Sequence, residues 1–231
     1  MSRPRRSSKQ AAMQLSLDEA DLAAYVARQV SFFSAPRTRV RGSSIRKYLP
    51  VTMERLRKCF SQIRKKYYWD GTRTLFDHLH SDHYAMFLYL LSNTIHQTGD
   101  PEALAPKVFL LNKALHGADI FHGIQLPEVF LFVHPVGTVL GNAQYGNYFV
   151  AYQNCTVGSL EDGRYPSFAG ETVLFSRTSV LGDCRIGKNV VMGANSSVVN
   201  VSVPDNSVVV GSYPAHKILK NDRPVLDRIF R

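Results

Sequence analysis

A six-residue repeat in the last third of the chain constrains its fold more than any other feature. Between residues 168 and 198, large apolar side chains return at every sixth position, and small or β-branched side chains return four positions later. The apolar register holds Phe168, Leu174, Val180, Ile186, Met192 and Val198, and the small register holds Thr172, Thr178, Cys184, Val190 and Ser196. Helices repeat at about 3.6 residues and strands at about two, so neither alone gives this period.

Hexapeptide repeats are typical of a parallel β-helix, in which three hexapeptides complete one triangular coil. The apolar residue points into the prism, the small residue fits its crowded corner, and stacked coils bury a continuous core. The same frame returns upstream at Tyr145, Ala151 and Val157, after a phase shift near Gly141. An irregular β-sandwich is the alternative, and it would have to align six positions by coincidence. We therefore predict a parallel β-helix.

The chain before residue 119 has helical periodicity instead. Ser16 followed by Glu19 is a capping-box pattern, which predicts a first helix with Ser16 as its N-cap. A second helix is predicted after Pro50, with Met53, Leu56, Phe60, Ile63 and Tyr67 along its apolar face. The third and fourth are predicted to start at Ser81 and Asp100, and the fourth to end at Gly117.

These patterns predict an α+β chain in three parts. Residues 1–118 form a helical N-terminal region, of which 1–15 are expected to be disordered, and residues 119–211 form the β-helix domain. Residues 212–231 form a C-terminal tail. No window approaches the roughly 18 apolar residues of a membrane span, and the basic start lacks the apolar segment of a secretory signal. Three widely separated cysteines predict neither a disulfide framework nor a zinc site, so we expect a reducing cytoplasm.

The positive charge of the chain is concentrated in its first third. The net charge is +10, and residues 1–75 hold 17 Lys and Arg against 5 Asp and Glu. Such a balance fits a nucleic acid, an anionic surface or an acidic ligand, but also a solvated basic helix face. Because no nucleic-acid-binding motif accompanies the charge, we do not expect nucleic acid as a partner.

Four stretches of the sequence carry a resemblance to a known family. They are the repeat itself, "GADIF" and "FVHPVGTVLG" at its start, the loop "CTVGSLEDGRYPSF", and the closing "VVVGSYPAHKI". In this order they resemble the left-handed β-helix acyltransferases, and among these most the serine O-acetyltransferases, over about residues 85–220. That family has an aspartate fifteen residues before its catalytic histidine, as Asp119 stands before His134. The resemblance thus implies a left-handed β-helix and an acetyl-CoA-dependent O-acetyltransferase.

The resemblance gives His134 and Asp119 catalytic roles. Acyl transfer from a thioester to a hydroxyl needs a base for the hydroxyl proton, and imidazole suits that task. His134, the one histidine between residues 124 and 214, is the candidate base, and Asp119 would orient its ring. A structural histidine and a turn-capping aspartate are the alternatives. Attack on the thioester is direct, and Cys155 and Cys184 fall in the small register as wall residues rather than nucleophiles.

In this superfamily coenzyme A lies between adjacent prisms of a trimer, and no metal is required. The positions that match its contacts here are Gly158, Ser176, Gly193 and Ala194. We therefore expect acetyl-CoA as cosubstrate and a homotrimer, with a doubling of the trimer through the helices left open.

The acceptor pocket departs from the family pattern at two positions. Serine acetyltransferases have an aspartate directly before the catalytic histidine, where this chain has Val133, and a second histidine in the loop, where it has Tyr165. A phenol can hydrogen-bond but carries no positive charge. Asp82 is the candidate acceptor ligand from the helical region, chosen over Asp70 and Asp77. The acceptor is a small molecule with a hydroxyl or amine, and L-serine, another amino acid and a sugar of a glycan or secondary metabolite all stay open.

The sequence also offers alternatives to an acyltransferase. His78, His80 and His83 are close in sequence, but they straddle a predicted helix start and no metal site is expected there. A zinc hydratase resembling the gamma-class carbonic anhydrases needs three histidines on the coils, where His134 stands alone. A non-catalytic β-helix scaffold is the remaining alternative, and it has no use for the Asp119–His134 spacing.

Overall fold

The computed structural model describes residues 13–35, 39–100 and 102–231. Its helices are α1 (Glu19–Phe33), α2 (Gly42–Arg46), α3 (Leu49–Ser61), α4 (Ser81–Gln97), α5 (Leu104–His116) and α6 (Val225–Ile229). The first strands are β1 (Gln14–Leu15), β2 (Leu75–Phe76), β3 (Asp119–Ile120), β4 (Phe130–Val133), β5 (Val139–Leu140), β6 (Gln144–Tyr145), β7 (Phe149–Tyr152) and β8 (Thr156–Gly158). The remaining strands are β9 (Ser167–Phe168), β10 (Thr172–Leu174), β11 (Ser179–Leu181), β12 (Arg185–Ile186), β13 (Val190–Met192), β14 (Ser197–Val199), β15 (Ser202–Val203), β16 (Ser207–Val210) and β17 (Lys217–Lys220).

The predicted architecture, a helical region followed by a parallel β-helix, is confirmed. From β4 onward the chain visits three parallel sheets in rotation. The first face contains β4, β7, β10, β13 and β16, the second contains β3, β5, β8, β11 and β14, and the third contains β6, β9, β12 and β15. Leu174 pairs with Met192 and Val180 with Val198, in each case eighteen residues on, which is three hexapeptides to a coil.

The two registers of the repeat have the burial that the β-helix requires. All six residues of the apolar register and all five of the small register are buried. Tyr145 stacks on Phe168 of the next coil with their ring centroids 5.5 Å apart. The frame is interrupted where the loop 159–166 leaves the prism, since Ala151 pairs with Leu174, twenty-three residues on. The loop therefore adds five residues to one coil without disturbing the stack.

The helical region is built around α4. Fourteen of its residues are buried, and the helix packs against α3, α5 and the first coil strand β4. A helix that is apolar nearly all round belongs in a core rather than at a surface. Its predicted start at Ser81 is confirmed, and so is the end of α5 at Gly117, whose φ of 61° is the left-handed conformation that glycine adopts readily.

Three of the predicted helix boundaries differ from the structure. The fourth predicted helix, α5, begins at Leu104 rather than at Asp100, whose carboxylate accepts from the backbone N–H groups of Leu104 and Ala105. The N-cap of α1 is Asp18, whose carboxylate accepts from the backbone N–H groups of Ala20 and Asp21, while the Ser16 hydroxyl bonds to His78 instead. A carboxylate near a helix N-terminus is favoured over a hydroxyl because it also meets the positive end of the helix dipole. The second helix ends at Ser61, before Ile63 and Tyr67, since Ile63 leaves the helix to pair with Phe230.

The expected disorder of residues 1–15 falls mostly on 1–12, outside the described residues. Gln14 and Leu15 are instead ordered, and they form β1 in parallel pairing with β2. Within the described part of the chain, no helix is both long and apolar enough to cross a membrane.

The tail runs back from the last coil to the helical region. β17 pairs antiparallel with β16, and the Asn221 side chain then donates to the backbone oxygen of Asn189, one coil earlier. Beyond α6, the fully buried Phe230 contacts the Tyr148 ring at a centroid distance of 5.0 Å. The last eleven residues thus lie along one corner of the prism and end against the segment that follows α3.

Candidate active site

His134 lies at the corner where the chain turns from the first face of the prism to the second. It follows β4 directly, has a φ of 50°, and its side chain is 73% exposed. Positive φ is costly for a residue with a Cβ and persists where other contacts hold the backbone. Here the backbone N–H of His134 donates to Asp82 Oδ1 across 3.0 Å, which fixes the backbone and leaves the imidazole facing outward.

Asp82 reaches this corner from the first turn of α4. It is 5% exposed, and its Oδ1 lies 3.8 Å from His134 Nδ1 as well as within bonding distance of the His134 backbone. The helix N-terminus stabilises a carboxylate at this position. The structure thus brings together two residues that stand fifty-two positions apart, the candidate base and the candidate acceptor ligand.

Several titratable side chains face the Asp82 carboxylate. Burial lowers the pKa of Lys65, and Asp82 opposes that change. Burial raises the pKa of the Tyr152 phenol, and the Asp82 carboxylate raises it further. Burial lowers the pKa of His116, and the Asp82 carboxylate opposes that change. Lys65 Nζ lies 5.6 Å from the centre of the Tyr152 ring. The surroundings of the Asp82 carboxylate therefore include a half-buried lysine, a histidine and the phenols of Tyr152 and Tyr68.

Asp119 is engaged elsewhere. It begins β3, pairs in register with Val139, and its Oδ2 accepts from Lys113 Nζ at 2.6 Å. Both side chains are half-exposed, which makes this a pair that exchanges readily with solvent. Among the described residues, the ion pair of the Asp119 carboxylate is with Lys113 and not with His134.

The coenzyme positions divide between two corners of the prism. The strand pairings show which residues lie above one another: Val133 pairs with Tyr152, Ala151 with Leu174, and Leu174 with Met192. Counting on from these pairs to the corner that follows each strand gives one stack of residues from successive coils. The stack contains His134, Gln153, Ser176 and Ala194, and Gly193 lies beside Ala194. We call this the His134 corner. Gly158 ends β8 at the next corner, where the loop 159–166 leaves.

Tyr165 also lies at the Gly158 corner rather than beside His134. A Cβ built on Gly141 would come within 2.8 Å of both the Tyr165 ring and the Val157 carbonyl oxygen, so the glycine lets the loop approach the coil. The neighbouring Arg164 bonds to Asp162 and Asp183. Within one chain, the candidate base and the candidate loop ligand are therefore on different edges of the prism.

Three polar residues of the site were missed by sequence reasoning. Lys65 and Tyr152 face Asp82, and Gln153 of the His134 corner has a buried side-chain oxygen with no hydrogen-bond partner among the described residues. A coil of eighteen residues would place position 152 below position 134, and the phase shift near Gly141 moves this to Gln153, so the repeat indicates the pair only once that shift is counted. Lys65 belongs to the helical region and has no such signal.

The other candidate ligands and nucleophiles are placed as follows. Cys155 and Cys184 are buried, and burial raises the pKa of both thiols, so they are wall residues as predicted. Across residues 13–35, 39–100 and 102–231, no three His, Cys, Asp or Glu side chains are grouped to hold a metal ion. His80 and His83 stack on one another with their centroids 4.2 Å apart.

Comparison with known proteins agrees with the class of fold that the coils define, a hexapeptide-repeat β-helix. A serine acetyltransferase of Synechococcus elongatus is 36% identical over 105 residues, 44% of this chain and 43% of that protein. One of Staphylococcus xylosus is 30% identical over 146 residues, 62% of this chain and 66% of that protein. The chain thus spans about half to two thirds of the curated relatives it matches, and no family model matches it.

Solved structures share the fold over a larger part of the chain. The serine acetyltransferase of Vibrio cholerae superposes with a TM-score of 0.67 at 18% identity, covering 91% of this chain and 83% of that one. That of Brucella abortus in complex with coenzyme A gives 0.66 at 17% identity, covering 90% and 84%. The chain therefore shares the fold of these structures, a helical region followed by hexapeptide-repeat coils. More particularly, its sequence is similar to that of serine acetyltransferases over as many as 146 residues.

Proposed function

We propose that the chain is an acetyl-CoA-dependent O-acetyltransferase with His134 as its general base. The observation that carries this proposal is the exposed His134 imidazole at a coil corner, with its backbone held by the buried Asp82 carboxylate. A histidine kept only for packing would be buried. The similarity to serine acetyltransferases supplies the reaction class.

The reaction is a direct transfer. Neutral His134 takes the proton of the acceptor hydroxyl as its oxygen forms a bond to the thioester carbonyl carbon. A backbone N–H of an adjacent coil holds the oxyanion. The carbon–sulfur bond then breaks, and the proton passes from His134 to the leaving thiolate, so that an ester and free CoA result. Asp119 orients the imidazole once its carboxylate is released from Lys113.

Acetyl-CoA would lie along the His134 corner. Ser176, Gly193 and Ala194 are small there and leave room for a chain of amides, and the unpartnered Gln153 oxygen is an acceptor for one amide N–H. A serine acetyltransferase of Brucella abortus was crystallised with coenzyme A. Gly158, at the next corner, would contact the coenzyme from a neighbouring prism.

The separation of the site residues within one chain supports a homotrimer. His134 is at one corner of the prism, while Tyr165 and Gly158 are at another. One site that uses all three needs the corner of a second copy, and a threefold arrangement gives each copy one complete site.

The acceptor is a small hydroxyl compound that enters beside Asp82. An amino group on it would pair with the Asp82 carboxylate, while the buried Val133 and the Tyr152 ring offer less polarity than the aspartate expected before the base. L-Serine is the first acceptor to test, and amino-sugars or hydroxylated metabolites are the second. Three free, buried cysteines fit a reducing cytoplasm as the compartment.

The test is the release of CoA thiol from acetyl-CoA with L-serine and with a panel of hydroxyl acceptors. His134→Ala should abolish turnover, and His96→Ala is the matched control, since His96 is exposed in the last turn of α4, at the opposite end from Asp82. Turnover by His134→Ala at the wild-type rate contradicts the proposal. Absence of both turnover and CoA binding favours the scaffold alternative.

A further inference from the structure

A cavity lies in the helical region, beside the start of α4. Its volume is about 320 Å³, and its walls include Lys66, Tyr67, Phe76, Asp77, His80 and His83, together with Gln14 and Leu15 of β1. Neither Asp82 nor His134 lines it. The proposed transferase chemistry uses none of these side chains.

His83 brings a buried donor without a partner to this cavity. The residue is 1% exposed, and its Nδ1 accepts the backbone N–H of Asp77 at 3.1 Å. Nδ1 is therefore the acceptor nitrogen of the neutral ring, and the proton is on Nε2. Nε2 is buried and has no hydrogen-bond partner among the described residues. Such a donor is costly to leave unpaired, and a ligand oxygen would satisfy it.

The charge of His83 is settled by its surroundings. Burial, and then the neighbouring His80, lower the pKa of His83 to about 3. The ring is thus neutral at physiological pH and donates its Nε2–H without adding charge. A ligand drawn to it needs an acceptor atom, and the attraction for an anion must come from another side chain.

Lys66 supplies that charge. It is exposed, its Nζ lies 4.8 Å from the centre of the Tyr67 ring, and it forms no ion pair among the described residues. Residues 1–12, 36–38 and 101, which the structure does not describe, contain no Asp or Glu that could pair with it. The Asp77 carboxylate accepts from the Leu79 N–H at 2.9 Å and is half-exposed at the same rim, so it disfavours a second negative charge on the ligand.

The walls between these groups are aromatic. The Tyr67 and His80 rings are 5.3 Å apart, His80 stacks on His83 at 4.2 Å, and Phe76 lies nearly parallel to His83 at 6.3 Å. Aromatic walls with one cation, Lys66, and one neutral donor, His83, suit a planar ligand that carries a single carboxylate.

We propose that this cavity binds a small aromatic monocarboxylate, with its carboxylate accepting from Lys66 Nζ and from the Nε2–H of His83. The ring of the ligand packs against Tyr67, which is 55% exposed. The site is separate from the transferase site and does not depend on the proposed function, because binding there is measured without acetyl-CoA or an acceptor.

The test is a titration of the full chain with benzoate, followed by calorimetry and by the imidazole nitrogen resonances in NMR. We expect the His83 Nε2 resonance to shift on saturation. Lys66→Gln and His83→Asn should each weaken benzoate binding at least about tenfold, the loss of one charge-assisted or buried hydrogen bond. The Asn side chain keeps an acceptor for the Asp77 N–H but removes the Nε2 donor.

The controls separate this site from adventitious binding. Lys58→Gln removes an exposed lysine that pairs with Glu128 and should leave benzoate binding unchanged. Benzyl alcohol, which lacks the carboxylate, and acetate, which lacks the ring, should both bind at least about tenfold more weakly than benzoate. Should Lys66→Gln bind benzoate as the wild type does, or should acetate bind as well as benzoate, the proposal is wrong. Because Lys66 is exposed, its variant decides the matter even if His83→Asn fails to fold.

Discussion

The backbone N–H of His134 donates to the Asp82 carboxylate across 3.0 Å, and this bond joins the first coil of the β-helix to the first turn of α4. The bond fixes the backbone of His134, whose side chain we propose as the general base. The helical region, which precedes the coils in sequence, thereby fixes the backbone that carries the imidazole.

The Asp82 carboxylate can be tested with two substitutions. Asp82→Asn keeps an oxygen that accepts from the His134 N–H, whereas Asp82→Ala leaves that N–H unpaired. A hydrogen bond to a charged group contributes about 1.5–3 kcal/mol, so we expect kcat/KM to fall about 10- to 100-fold in Asp82→Ala. Asp82→Asn should lose less if the carboxylate only positions His134, and as much if its charge binds the acceptor. Equal activity in all three proteins would rule out both roles.

The Lys113–Asp119 pair predicts a competition for the Asp119 carboxylate. If Asp119 must leave Lys113 to orient His134, Lys113→Met should raise kcat/KM, by up to about fivefold for an exposed pair of this kind. Asp119→Asn should lower kcat/KM by at least about tenfold because the imidazolium loses its partner. Steady-state CoA release measures both. If neither variant changes turnover, Asp119 serves Lys113 alone and the dyad is abandoned.

Burial of His83 predicts a loss of stability in acid. The pKa of His83 is lowered to about 3 in the folded chain, below its ordinary value of 6.5. As the pH falls below about 6.5, the unfolded chain takes up a proton that the folded chain refuses, so the free energy of unfolding declines by up to about 1.4 kcal/mol per pH unit. Above that pH the contribution is fully present.

Urea unfolding of wild type and His83→Asn between about pH 7 and pH 5 measures this contribution. The stability difference between the two should change with pH, because Asn does not titrate. His116 and His122, whose pKa values burial also lowers, contribute equally to both proteins and cancel. A difference that is constant with pH would show that the pKa of His83 is the same in the folded and the unfolded chain.

Close stacking of the coils makes Gly146 intolerant of a side chain. A Cβ there would lie 2.5 Å from the backbone of Ala169 in the next coil, and backbone cannot move aside. We expect Gly146→Ala to destabilise the chain by about 1–3 kcal/mol in urea unfolding. Gly158→Ala is the matched control, since its Cβ would meet only the Leu181 side chain at 3.5 Å and should change stability by less than about 1 kcal/mol. A similar loss of stability in both variants would mean that the effect of Gly146→Ala does not come from a clash of the added Cβ with the next coil.

The β-helix could be predicted from the sequence because its code is local. Each coil needs an apolar residue inside the prism and a small residue at its corner. Leu174 and Thr178 fill these positions, and both can be recognised from the six-residue spacing alone. The start of α4 at Ser81 and the end of α5 at Gly117 were equally local, being matters of caps and of a glycine that tolerates positive φ.

The site could be predicted only in part. The resemblance and the fifteen-residue spacing from Asp119 indicate His134 as the base, but its contact with Asp82 depends on how α4 packs on β4, which no short-range pattern encodes. The position of Lys65 beside Asp82 and the ion pair between Asp119 and Lys113 likewise depend on how the helices pack on the coils. Ser16 failed as an N-cap because Asp18, two residues on, offers a stronger acceptor to the same helix.

The returning segment 221–231 changes how the coils depend on one another. Solenoids ordinarily behave as a row of neighbours, so that an end coil can peel away while the rest stays folded. Here Asn221 is bonded to Asn189, and Phe230 is buried against Tyr148 and paired with Ile63, far from the last coil. The C-terminal segment thus links the last coils to the early coils and to the helical region, so that the contacts between them form a closed loop. Opening at either end must break that closed loop of contacts, so the two structural parts should melt together in a single cooperative transition.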